Sequence, residues 1–194
     1  SSMISKLCAY NHRSEFIITV IKNELKKNPK QQIMILGQYK ELLVYLYKAI
    51  EHRNIASVGY YVGGMKEADL KISESKTIVV ATYAMAEEGL DIKTLSTLIL
   101  VTPRTDITQA VGRILRIKHE QPLVIDIIDK HPVFKKQWLK RKKFYQTNKY
   151  EILYTISDNY ISDIWENISD KKNKKSKKDE HIDEISKLMG TCLI

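Results

Sequence analysis

Gln109, Gly112, Arg113 and Arg116 fall within one short run, Gln109-Ala110-Val111-Gly112-Arg113-Ile114-Leu115-Arg116. On a helix, residues three apart share a face, so Arg113 and Arg116 can reach a single target together. Two planar guanidinium forks aimed at one point make an oxyanion clamp. Phosphoryl transfer calls for such a clamp, because its transition state spreads negative charge over three oxygens. Gly112, having no Cβ, would let the helix come close to a neighbour or ligand. A pair of solvated surface arginines has the same spelling, and Gly-Arg-x-x-Arg alone does not choose between the two readings.

Three further segments carry polar or glycine residues directly after apolar runs. They are Gln38-Tyr39 after Gly37, Gly63-Gly64, and Thr82 with the stretch through Gly89, Leu90, Asp91 and Ile92. The elements that must position them can be read from periodicity. Phe16, Ile17, Val20, Ile21 and Leu25 recur at helical spacing over 12–28, ahead of Pro29. The run Ile33-Met34-Ile35-Leu36 has no polar alternation, which predicts a strand buried on both faces. Helices are predicted at 41–51, 66–73, 83–88 and from Thr105 or Asp106 to Ile117, with strands at 56–62, 76–82, 97–101 and 123–127. A basic helix over 133–147 and a late edge strand over 150–156 follow. Strands alternating with helices specify an α/β fold with a mostly parallel sheet, covered on both faces, with its sites at the carboxyl ends of the strands. The expected organisation is a lead-in and helix over 1–29, the α/β domain over 30–156 and a charged extension over 157–194. That extension contains Lys171-Lys172-Asn173-Lys174-Lys175-Ser176-Lys177-Lys178, expected to be a disordered linker, and a short amphipathic helix is expected near 180–189.

Composition narrows the class. Hydrophobic residues make up 43% and charged residues 28%, as in an ordinary globular protein. No apolar stretch approaches the roughly 18 residues a membrane helix needs. Two cysteines near the ends, Cys8 and Cys192, imply no disulfide framework and a reducing compartment, cytoplasm or nucleus. The five histidines show no zinc-like spacing, so no metal site is expected. The net charge of +9, from 32 basic and 23 acidic residues, suits a polyanionic partner such as nucleic acid. It is equally explained by a lysine-rich tail and a lysine-rich coding composition.

The order of these segments carries more than any one of them. Strand-Thr82, then Gly89-Leu90-Asp91-Ile92, then strand-Thr102-Pro103, then Gln109 to Arg116, then a strand with Asp, resembles superfamily 2 helicases from motif IV through motif VI. The wording is most similar to the UvsW/XPB-like branch and to helicases of large DNA viruses. It departs from DEAD-box proteins, with Gln109-Ala110 in place of His-Arg and Leu115 in place of the last Gly. The resemblance spans about 30–130. It implies the second, RecA-like lobe of an ATP-dependent helicase or translocase.

By that resemblance Arg113 and Arg116 would reach the γ-phosphate across the cleft between two lobes, with Arg116 as the finger. Gln109 would couple the nucleotide and nucleic-acid sites, and Gly89 and Asp91 would lie against the nucleotide or brace the arginines. Thr82, Gln38, Tyr39, Gly63 and Gly64 would line the nucleic-acid track. Plainer roles are available: Asp91 bracing a turn, Thr82 capping a helix, Tyr39 and Tyr83 packing. The basic stretch Lys135-Lys136 and Lys140 to Lys143, interleaved with Trp138, Phe144 and Tyr145, reads either as a solvated face or as a nucleic-acid contact. No Gly-x-x-x-x-Gly-Lys-Thr/Ser and no Asp-Glu-x-His occurs in the chain. ATP and Mg2+ would therefore be held mainly by an N-terminal RecA-like lobe of the parent, and this stretch alone, an expected monomer, would be hydrolytically silent. The alternative is a non-catalytic RecA-like nucleic-acid-binding module.

Overall fold

Ile33, Met34, Ile35 and Leu36 are buried at every position, and in the computed structural model they form the middle of a five-stranded parallel sheet. The structure describes residues 6, 8–88, 92–114, 122–169 and 192–193, with 113, 114, 192 and 193 by backbone only. The strands are β1 (Gln32–Gly37), β2 (Val58–Tyr61), β3 (Ile78–Thr82), β4 (Leu95–Leu100) and β5 (Leu123–Asp126), in the order β2-β3-β1-β4-β5. Every neighbouring pair is parallel. Helices α1 (Asn11–Lys27), α2 (Lys40–His52), α3 (Glu67–Glu74), α4 (Tyr83–Glu88) and α5 (Thr108–Ile114) cover both faces of the sheet. The charged extension's lysine run and the helix expected near 180–189 lie outside the described residues, as does the end of the helix expected to reach Ile117.

Local chemistry explains the element ends. Helix α1 stops at Asn28, whose φ of −139° and ψ of 92° match the extended backbone required before Pro29. Glu15 on α1 accepts from both terminal nitrogens of Arg53 at 2.8 Å and from the Tyr45 hydroxyl, and these hydrogen bonds hold its carboxyl down at about 2. At the amino edge of the sheet, Gln31 and Gln32 act as polar staples. The Gln32 side-chain amide donates to the carbonyls of Glu74 and Lys76 at 2.7 and 2.8 Å and accepts from Thr94, while Gln31 accepts from Thr97.

Gly59 is required by packing. A Cβ built there would stand 2.7 Å from the Cα of Ser73 on α3, a backbone atom that cannot swing aside. Gly59→Ala is expected to destabilise the chain by about 1–3 kcal/mol, read as a lowered urea midpoint. Gly37→Ala, whose new methyl meets the mobile end of Leu43, should cost less.

The chain divides into two units: residues up to Thr102 with Ile107–Asp126, and Pro103–Asp106 with Ile127 onward. The second contains β6 (Ile128–Asp129), α6 (Pro132–Thr147), β7 (Leu153–Tyr154), α7 (Ser157–Tyr160), β8 (Glu166–Asn167) and β9 (Cys192–Leu193). The edge strand expected over 150–156 does not join the main sheet. Only Leu153–Tyr154 is strand, paired antiparallel with β8. The reason is local: the Ile152 amide donates to Ser169 Oγ, and Thr155 Oγ1 donates to the Ile164 carbonyl, so this segment is tied to its own following turn.

Candidate functional site

In a parallel sheet the carboxyl ends of the strands share one edge, and the loops that follow them project from it. Register defines that edge here. Gly37 pairs with Thr82, Tyr61 with Ala81 and Leu36 with Leu100, so Val62, Thr82, Gly37 and Val101 stand level across β2, β3, β1 and β4. Gly63-Gly64, Thr82 and Gln38-Tyr39 thus come from three adjacent strands. Gln109 lies on α5, the helix that follows β4, which packs against β4 and against α4, the helix that begins directly after Thr82.

The first group presents backbone and small polar groups. Gly64 has φ of +88°, a left-handed conformation that glycine adopts without strain. A Cβ built on Gly63 would come no nearer than 4.0 Å to Met85 Sδ, and one on Gly64 would meet nothing within 4 Å among the described residues. The loop after β2 therefore offers open main chain. Thr82 is half-buried, with its Oγ1 3.5 Å from the Met85 amide, a long helix cap on α4. Gln38 is exposed and Tyr39 half-buried at the start of α2.

Thr102 joins these loops and carries no role in the sequence reading. Its hydroxyl accepts the Gln38 amide at 2.9 Å, and its carbonyl accepts the Tyr83 hydroxyl at 2.9 Å. One residue earlier, the Val101 carbonyl accepts from Arg13 Nη2 at 2.7 Å. Thr102, Val101, Arg13 and Tyr83 are all nearly inaccessible. Tyr83 is thus a packing and hydrogen-bonding residue. A sequence signal for Arg13 existed, since it falls in helical register with buried Ile17, Val20, Ile21 and Glu24. Thr102 had only the Thr-Pro dipeptide after a strand.

Helix α5 buries Ala110 and Val111, with Ile107 before it, and leaves Thr108, Gln109 and Gly112 exposed. A Cβ on Gly112 would meet nothing within 4 Å among the described residues. Arg113 belongs to α5 by its backbone, while its side chain, Gly89, Asp91 and Arg116 lie outside the described residues. Among the described residues no group of three His, Cys, Asp or Glu could hold a metal ion, and no helix is long and apolar enough to cross a membrane.

Residues 17–118 match the model of the helicase conserved C-terminal domain. A protein of Acanthamoeba polyphaga mimivirus named "Putative ATP-dependent RNA helicase L396" is 42% identical over 163 residues, covering 81% of this chain and 31% of its own length. The similarly named QP509L of African swine fever virus (isolate Pig/Kenya/KEN-50/1950) is 26% identical over 135 residues, 64% of this chain and 26% of its own. This chain therefore spans about a third or less of the length of these relatives. Among solved structures, T4 UvsW aligns with a TM-score of 0.58 at 18% identity, over 76% of this chain and 35% of that one. At that identity the likeness speaks for the fold, a RecA-like α/β domain.

Proposed function

The chain belongs to the helicase conserved C-terminal domain family, and on that premise we propose that it is the second lobe of an ATP-driven nucleic-acid motor. The observation that carries this reading is the division of the carboxyl edge. Open backbone and small polar groups follow β2, β3 and β1, and an exposed Gln109 stands on α5, the helix after β4 that packs against α4. The first half suits a phosphate backbone, which glycine-lined main chain can approach without regard to base identity. The second half suits nucleotide sensing, with Arg113 and Arg116 closing on the γ-phosphate and Gln109 relaying that state. Gly89 and Asp91 would support the arginines.

ATP fits this chain only as a shared ligand. Gly112 on α5 is exposed, yet the sequence has no loop to grip phosphates and the described residues hold no metal-ligating cluster. The phosphate loop and Mg2+ ligands would belong to a preceding lobe of the same parent. The names of the two viral relatives make RNA the first strand to test.

Purified alone, the 194-residue chain is expected to show no RNA- or DNA-stimulated ATP hydrolysis, and to hydrolyse only as part of its two-lobe parent. Turnover by the isolated chain that disappears in Arg116→Ala would overturn the two-lobe reading. A non-catalytic binding module would instead give a parent whose hydrolysis ignores Arg113 and Arg116.

A further inference from the structure

Helix α6 of the second unit has six basic residues and no acidic one in the sequence PVFKKQWLKRKKFYQT. They do not share a role. Arg141 and Lys142 are buried, and Arg141 Nη1 donates to the Arg104 carbonyl, so these two belong to the unit's interior. Lys136, Lys140 and Lys143 are exposed, and none has a hydrogen-bond or salt-bridge partner among the described residues. Their spacings of four and three place them in one stripe along the helix, covering about 10 Å of its axis. Like charges at such spacings repel one another, and no carboxylate on the helix relieves them. A row of unpaired ammonium groups is complementary to a polyanion, and a strand carrying one phosphate per roughly 3.4 Å offers about three charges over that length.

The interleaved aromatics do not add base stacking. Trp138 packs against Ile128 and lies beside Tyr145, which is buried, while Phe144 stacks edge-on to Tyr145. We propose that Lys136, Lys140 and Lys143 form a second nucleic-acid contact that binds phosphates without reading bases. It lies beyond residues 17–118 of the family match. This inference takes nucleic acid as the partner from the reading above, but stands on a different unit and different residues.

The test is Lys136→Gln/Lys140→Gln/Lys143→Gln in the intact chain, so that the lysines at 171–178 are constant. Fluorescence anisotropy with RNA, DNA and duplex probes of about 20 nucleotides or base pairs is recorded across a salt series. Affinity should fall about tenfold at low salt, and the log–log salt slope should shrink by about 2 for single strands and about 3 for duplex. The loss should be the same for probes of different sequence, with the melting temperature unchanged. Unchanged affinity and slope overturn the proposal, as does a loss confined to vesicles containing phosphatidylserine. Thr82→Ala, measured alongside, separates the two readings. If only the lysine variant loses binding, the edge assignment fails and this one stands; if only Thr82→Ala loses it, the reverse holds.

Discussion

Arg116→Ala in the two-lobe parent is expected to lower kcat for ATP hydrolysis by about 10³-fold, on the scale of arginine fingers. That factor corresponds to about 4 kcal/mol of transition-state stabilisation, more than an exposed ion pair supplies. The effect should fall on kcat, because the guanidinium meets charge that develops on the γ-phosphoryl oxygens only as the bond breaks. Arg116→Lys should fail nearly as badly, since an ammonium cannot reproduce the planar fork. Nucleic-acid affinity without nucleotide should hardly change, because the residues assigned to the strand lie over β2, β3 and β1. Each variant is checked for an unchanged melting temperature in the 194-residue chain. A folded Arg116→Ala parent that still turns over at full rate would show that the run 109–116 is not the nucleotide-sensing helix.

Much of this edge could be located from sequence because the strands are buried on both faces. Ile33 to Leu36 and Ile78 to Ala81 are continuous apolar runs, and such runs end where the chain leaves the sheet. The turn residues Gln38, Gly63 and Thr82 could therefore be placed at carboxyl ends without knowing strand order. Strand order was not legible, and it is what makes the loops after β2, β3 and β1 neighbours. Nor was the junction at Thr102, because a hydroxyl that accepts a backbone amide 64 positions away leaves no local pattern. The second unit misled for a related reason. Alternation over 150–156 is genuine at Ile152 and Leu153, one buried and one exposed, but alternation does not name a pairing partner. The basic helix shows the limit of reading charge as surface: Arg141 and Lys142 are interior, while Lys136, Lys140 and Lys143 are not.

The junction yields the other large effect. Tyr83→Ala is expected to cost about 3–5 kcal/mol, a large share of the 5–15 kcal/mol typical of a domain. The ring is almost wholly inaccessible, so truncation leaves a cavity beneath α4, and its hydroxyl is also lost from the Thr102 carbonyl. In a chain of this size such a loss lowers the melting temperature by about 6–20 °C. Tyr83→Phe keeps the ring and removes only the donor, so it should cost about 1–2 kcal/mol. Thr102→Val strips the acceptor from the Gln38 amide and should cost a similar amount, while Thr102→Ser should restore it. These losses should appear in urea unfolding, with nucleic-acid affinity reduced only in step with the unfolded fraction. A tyrosine that stacked on bases would behave in the opposite way. Tyr83→Ala would then melt like the parent chain and lose about 1–3 kcal/mol of binding per base stacked, an outcome incompatible with a buried side chain whose hydroxyl donates to the Thr102 carbonyl just past β4.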